Sequence, residues 1–154
     1  MEQAHALRRT DILEATSRAL LSTPGSQELQ SIGMYYQALC VHRLGKGNID
    51  QAGHLLEDVA DDAPPGYRAR ALISLGANSF RKGNHRAAIS FYLEALSFVR
   101  HSRLSDYTAV IRAQSDIATI RGLEGNHLEA LSILNNVRPI AKALRATHPH
   151  LYYD

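Results

Sequence analysis

Residues 83–88 read Gly-Asn-His-Arg-Ala-Ala, and the pattern recurs at 47–52 (Gly-Asn-Ile-Asp-Gln-Ala) and at 125–130 (Gly-Asn-His-Leu-Glu-Ala). The three glycines are spaced by 36 and then 42 residues. Glycine tolerates the left-handed backbone that ends many helices, and asparagine is a favoured cap at the start of a helix. Each copy therefore predicts a tight turn between two helices, with Gly47, Gly83 and Gly125 in the left-handed conformation.

The residues on both sides of these glycines also repeat, in five aligned columns. A branched aliphatic lies eight residues before each glycine, a small residue seven before, an alanine five after, a large residue nine after, and a small or branched apolar residue twelve after. The columns are Leu39, Leu75 and Ile117; Cys40, Gly76 and Ala118; Ala52, Ala88 and Ala130; Leu56, Tyr92 and Leu134; Val59, Ala95 and Val137. Apolar steps of three and four residues indicate helices on both sides of each turn.

The columns also predict how the helices pack. Small residues allow two antiparallel helices to approach closely, so we expect Gly76 and Ala88 at the closest approach of the middle hairpin. The large column is expected to fill the space between neighbouring hairpins. One hairpin cannot bury its own apolar face, so the hairpins must stack.

The middle copy resembles the tetratricopeptide repeat, through the residues Leu75-Gly76, Phe80, Gly83, Ala88, Tyr92, Ala95 and Leu96. The first copy keeps Tyr36 at an aromatic column and Pro64 at the closing proline, whereas the third has Gln114 at the aromatic column. The resemblance covers roughly residues 30–146. It implies an all-α fold, a right-handed superhelical solenoid of antiparallel helix hairpins with about seven helices, in a single domain over 1–154.

The predicted layout begins with a helix over 5–22, either the second helix of an earlier unit or a cap. The helix pairs are 28–45 with 48–61 (repeat 1, 28–61), 66–82 with 84–101 (repeat 2, 66–101), and 105–123 with 126–146 (repeat 3, 105–146). Pro139 is expected to kink the last helix or end it near Arg138. The 42-residue spacing and His148-Pro149 resemble kinesin-light-chain repeats, so 147–154 is interpreted as the start of a truncated fourth repeat.

Composition excludes several classes of protein. The chain is 45% apolar and 21% charged, which excludes bulk disorder. Its net charge of +2 is too balanced for a nucleic-acid arm. The single cysteine, Cys40, cannot form an internal disulfide, and no apolar run approaches the length of a membrane span. We therefore expect a cytoplasmic protein with no membrane partner.

No group of residues predicts catalysis, a cofactor or a metal site. Cys40 lies in the small column and is interpreted as a packing residue, and His85 and His127 follow the caps and should be exposed. His148 and His150 lack further ligands at metal spacing. The acidic residues Glu57, Asp58, Asp61 and Asp62 are interpreted as a solvated face, and the seven tyrosines as core. We expect no enzyme.

The resemblance instead implies a concave groove lined by the first helix of each hairpin. By column, these residues are Met34, Gln37, Ala38 and Val41; Arg70, Ile73, Ser74, Ala77 and Arg81; Arg112, Ser115, Asp116 and Thr119. Arg70 and Arg112 occupy the same column, and two guanidinium groups there could hold a carboxylate. The alternative is that Arg112 pairs with Asp116 one turn later while Arg70 is solvated.

One subclass of the family clamps a chaperone's terminal carboxylate, and the matching positions here are Gln37, Val41, Ser74, Arg112 and Asp116. Of these, Arg112 alone has the required character, so the clamp is predicted to be absent. The leading hypothesis is a protein-interaction scaffold whose groove binds a peptide or helix.

Other hypotheses remain open at this stage. The chain could be a ligand-sensing or oligomerising segment of a signalling or transcription regulator. RNA binding is less favoured, because the charge is near neutral although 14 of the 17 basic residues are arginine. Self-association through the open edge of the last repeat is also possible.

Overall fold

The computed structural model describes residues 2–44, 49–102 and 106–147, and this part of the chain forms seven α-helices and no strand. Their bounds are α1 Glu2–Leu21, α2 Gln27–Leu44, α3 Ile49–Asp62, α4 Pro65–Arg81, α5 His85–His101, α6 Tyr107–Leu123 and α7 His127–Thr147. The predicted helices agree with these to within three residues at each end. The all-α prediction is confirmed.

The helices pack in chain order, each against the next, so that α2–α3, α4–α5 and α6–α7 form three stacked hairpins. In addition, the backbone of α4 approaches those of both α2 and α6, whereas no Cα atoms of α3, α5 and α7 lie within 8 Å of one another over the described residues. The stack therefore curves, with α2, α4 and α6 on the inner side. This arrangement is the predicted solenoid of helix hairpins, and α1 packs against α2 ahead of it.

Two of the three predicted turns lie in the described part of the chain. Gly83 has φ +76° and Gly125 has φ +83°, so both adopt the left-handed conformation as predicted. The Asn84 side chain accepts the backbone N–H of Ala87 at 3.1 Å and caps α5. Gly47 and Asn48 fall outside the described residues. Of the 147–154 segment assigned to a fourth repeat, Thr147 is the last residue of α7 and 148–154 lie outside the described residues.

The closest approach in the middle hairpin joins the α4 backbone to an aromatic ring. Gly76 lies against Tyr92, and a Cβ atom on Gly76 would lie 2.5 Å from Tyr92 Cε1. Ala88, one turn before Tyr92, is fully buried. The small column thus permits close packing as expected, and Gly76 accommodates the large residue of its own hairpin.

Of the two outcomes predicted for Pro139, an end of the helix near Arg138 does not occur: α7 continues through Pro139 to Thr147, packed along α6. Two expectations about packing were wrong. Leu134 remains 45% exposed, since no described helix covers that side of α7. Tyr107, expected in the core, is 53% exposed in the first turn of α6.

Candidate functional site

The ten residues predicted for the groove lie on the three inner helices α2, α4 and α6. Five have exposed side chains, namely Gln37, Arg70, Arg81, Arg112 and Thr119. Five are half-buried, namely Val41, Ser74, Ala77, Ser115 and Asp116. Two further residues expected to line the groove do not: Ala38 is fully buried and Ile73 is 9% exposed, because both pack into the core between hairpins.

Arg70 joins two inner helices. Its Nε donates to Asp106 Oδ2 at 3.3 Å, and its guanidinium carbon lies 5.8 Å from the centre of the Tyr67 ring. The other carboxylate oxygen of Asp106 accepts the backbone N–H of Ala109 at 3.0 Å and caps α6. Arg70 thus makes an ion pair that the alternative of a solvated Arg70 did not include, while 48% of its side chain stays exposed.

Arg112 makes the pair that the alternative interpretation predicted. Its Nε donates to Asp116 at 2.9 Å, one turn further along α6, and its side chain is 63% exposed. Asp116 also accepts a hydrogen bond from the hydroxyl of Tyr92, which reaches it from α5. Burial and the neighbouring Asp116 carboxylate raise the pKa of Tyr92. Asp116 thus satisfies a buried hydroxyl, a role that its sequence column did not indicate.

Three tyrosines lie between α2 and α4. The rings of Tyr35, Tyr36 and Tyr67 meet edge to face, with centroid distances of 5.5 to 6.2 Å. The hydroxyls of Tyr36 and Tyr67 are 3.5 Å apart, and this hydrogen bond, together with burial, raises the pKa of Tyr67 to about 12. These rings pack against one another, with Tyr35 buried in the core and Tyr36 and Tyr67 half-buried at its edge.

Together these contacts form a continuous line across the inner helices. It runs from Tyr36 on α2 to Tyr67 and Arg70 on α4, and then to Asp106 at the start of α6. The line fixes the neighbouring inner helices relative to one another. Sequence reasoning missed Asp106, although an aspartate immediately before a helical apolar pattern is a recognisable cap signal.

Arg81 extends the inner face at the end of α4. Its Nη2 donates to the side-chain oxygen of Asn78 at 2.6 Å, and Asn78 itself is 5% exposed. The hydroxyls of Ser74 and Thr119 donate to backbone carbonyls one turn earlier in their own helices. The exposed charge of the predicted groove is therefore mainly that of three arginines. The neighbouring carboxylates, Asp106 and Asp116, are 14% and 29% exposed and are paired with Arg70 and Arg112.

The remaining candidate groups lie either in the core or at the surface. Cys40 is buried and His127 is exposed, as expected, but His85 is half-buried because its ring stacks on Phe80 at 5.4 Å. The acidic residues at the end of α3, Glu57, Asp58, Asp61 and Asp62, are all exposed. In the described ranges no three His, Cys, Asp or Glu residues are grouped as metal ligands would be.

An open cavity of about 400 Å³ lies between the start of α2 and the end of α3, lined by Gln27, Gln30, Ser31, Met34, Asp58 and Asp62. The Ser31 hydroxyl donates a hydrogen bond to the backbone carbonyl of Gln27 at 3.0 Å.

Of the described helices, none has the length and apolar character needed to cross a membrane.

Comparison with known proteins agrees with the helix-hairpin architecture. The family model of the tetratricopeptide repeat matches residues 67–143, which is half of the chain. The match begins at Tyr67 in α4 and ends within α7, so it covers the second and third hairpins. Searches of curated proteins and of solved structures gave no match.

Proposed function

The chain belongs to the tetratricopeptide-repeat family, and from this premise we propose that its inner face binds a peptide or a helix of a protein partner that carries acidic groups. Repeats of this family generally mediate protein–protein interaction and form a non-catalytic scaffold. The proposed surface is formed by α2, α4 and α6. The proposal goes beyond family membership in three respects: the partner binds in the groove, it carries acidic groups, and the ten groove residues contact it.

The observation that carries the proposal is the position and exposure of two arginines. Arg70 and Arg112 lie on neighbouring inner helices, and their side chains are 48% and 63% exposed. Each contacts one carboxylate of the chain through Nε. A guanidinium group has five N–H donors, so it can bind a further carboxylate while it keeps an existing one.

The structure makes the test variant interpretable. Asp106 caps α6 with Oδ1 and contacts Arg70 with Oδ2, so loss of Arg70 leaves the cap in place. Arg112 pairs with Asp116 on the surface, where an i,i+4 pair contributes about 0.3–0.5 kcal/mol. We therefore expect the variant Arg70→Ala with Arg112→Ala to remain folded.

The experiment compares this double variant with the wild type on an array of peptides that differ in acidic content and carry free carboxyl termini. The matched control is Arg86→Ala with Arg100→Ala, because both arginines are exposed on α5, outside the inner layer. We expect the wild type and the control to bind the same acidic peptides, and the groove variant to lose most of that binding. Circular dichroism verifies that all three proteins are helical.

Equal binding by the groove variant and the wild type would refute the proposed role of the two arginines. Binding of single-stranded RNA that disappears in the same variant would favour the nucleic-acid alternative instead, and its steep decrease with added salt would identify phosphate contacts.

A further inference from the structure

The positive charge of the groove positions is confined to two of the three inner helices. One column of the repeat has Met34 on α2, Arg70 on α4 and Arg112 on α6, spaced by 36 and 42 residues like the glycines. Arg70 and Arg112 are exposed, and Arg81 adds a third exposed guanidinium group at the end of α4. Across the inner face this column is therefore apolar on α2 and cationic on α4 and α6.

The groove positions of α2 carry uncharged side chains. Gln37 is exposed, and Met34 and Val41 are half-buried. A thioether and a branched aliphatic group pack well against an apolar side chain of a partner, but they offer no cation to a carboxylate. The α2 part of the inner face thus fits an uncharged segment, whereas the α4 and α6 part fits an acidic one.

Two carboxylates border the α2 part of the inner face. Asp58 and Asp62 are exposed, lie one turn apart on α3, and line the cavity of about 400 Å³ together with Met34. A carboxylate of a partner that lay over Met34 would face these two like charges, and like charges placed together oppose binding. The inner face therefore disfavours acidic groups at its α2 end, in addition to favouring them over α4 and α6.

The dimensions of the inner face suit a single short segment. The backbone of α4 approaches those of α2 and α6 to within 8 Å, and the axes of packed helices typically lie about 8–10 Å apart. An extended chain advances at most about 3.3–3.6 Å per residue, so about seven residues span the three inner helices. One segment of this length can contact both the uncharged part and the cationic part.

From this polarity we infer that the partner segment carries its acidic residues at one end, and that it crosses the inner face with the acidic end over α4 and α6 and an apolar, uncharged end over α2. The inference rests on the proposed function, because it concerns the same inner face. It adds the order of charges within the partner and states which end of the partner lies on which helix.

The first experiment compares peptides of identical composition that differ only in the order of their residues. Glutamates are placed at the amino end, at the carboxyl end, or divided between both ends, and the other residues are alanine and leucine. Acetylated and amidated termini remove the terminal charges. Fluorescence anisotropy should show that the wild type binds one of the two one-ended peptides more tightly than the divided peptide, severalfold or more. Equal affinity for all three peptides would overturn the inference.

Variants of the chain test the origin of this preference. Gln37→Arg places a cation on α2, so it should bind the divided peptide at least as tightly as the one-ended peptide. The matched control Gln51→Arg makes the same change at an exposed position of α3 and should keep the wild-type preference. Asp58→Asn with Asp62→Asn should weaken the preference, because it removes the like charges beside Met34. A Gln37→Arg protein with an unchanged preference would refute the role of α2.

Cross-linking locates the two ends of the bound peptide. A benzophenone group at the uncharged end should attach to residues of α2, and the same group at the acidic end should attach to residues of α4 or α6. Mass spectrometry after proteolysis identifies the attached residues. The reverse assignment would overturn the inference, even if a one-ended peptide binds best.

The outcomes separate this inference from the proposed function. Failure of every acidic peptide to bind, or undiminished binding by the variant Arg70→Ala with Arg112→Ala, would refute the proposed function and the order of charges with it. Binding that requires both arginines but is equal for the three peptides would refute the order of charges alone. Circular dichroism verifies that every variant is helical.

Discussion

Replacement of Gly76 by alanine adds one methyl group at the most crowded point of the middle hairpin. The new Cβ would lie 2.5 Å from Tyr92 Cε1, 2.8 Å from Cδ1 and 2.9 Å from Cζ, all shorter than carbon–carbon contact. The ring cannot move away easily, because Tyr92 is 1% exposed and its hydroxyl is bound to Asp116. Overpacking of this kind typically costs about 1–3 kcal/mol.

The same substitution also has a favourable component, which sets the net magnitude. Alanine is better than glycine inside a helix by roughly 0.5–1 kcal/mol. We therefore expect Gly76→Ala to be less stable than the wild type by about 0.5–2 kcal/mol. For a chain of this size, each kcal/mol lowers the melting temperature by about 2–4 °C.

Gly122 provides the matched control. It lies in α6, and a Cβ atom there would have no heavy atom within 4 Å. Gly122→Ala should therefore show the favourable helix component alone and raise the melting temperature by about 1–4 °C. Melting is followed by circular dichroism on both variants under identical conditions. A Gly76→Ala protein as stable as Gly122→Ala would refute the packing of Gly76 on Tyr92.

The remaining predictions concern the turn after α4 and the hydroxyls of Tyr67 and Tyr92. Gly83→Val should lower stability by about 1 kcal/mol or more in thermal melts, because a β-branched residue is strained at φ +76°; unchanged stability would contradict the turn geometry. The pKa values of Tyr67, at about 12, and of Tyr92 are raised above the ordinary value of 10, so the stability from these groups is complete below pH 10 and is lost as pH rises through the raised values. Urea midpoints and phenolate absorbance measured at rising pH should show this loss of stability. The variant Tyr67→Phe should lose less stability at high pH, whereas Tyr107→Phe, at an exposed position, should lose as much as the wild type. An equal response from both variants would contradict the role given to the Tyr67 hydroxyl.

The fold could be predicted from the sequence because its determinants are local. Gly83 and Gly125 take the left-handed conformation whatever packs around them, and Asn84 caps the helix that follows immediately. The columns of small and large residues then determine which helix faces pack together. Pro139 lies inside α7, in agreement with the predicted helix over 126–146, because a packed helix continues past a proline when tertiary contacts outweigh one lost hydrogen bond.

The contacts across the inner face could be predicted only in part. The pair of Arg112 with Asp116 is local, at a spacing of four residues, and it was among the alternatives considered. The pair of Arg70 with Asp106 joins residues 36 positions apart, and the bond of Tyr92 to Asp116 joins different hairpins. Such contacts depend on how neighbouring units stack, which residue columns do not specify for polar side chains.

The packing of Gly76 against Tyr92 means that the three units are not interchangeable copies. At the positions of Gly76 and Tyr92, the first unit has Cys40 and Leu56, and the third unit has Ala118 and Leu134. In these two units, a residue larger than glycine on the first helix is combined with a residue smaller than tyrosine on the second. A consensus unit obtained by averaging the three sequences, as is common in repeat-protein engineering, would combine a tyrosine with an alanine or a cysteine that it cannot accommodate. Arrays built from this chain should therefore transfer each hairpin with both residues of its own pair.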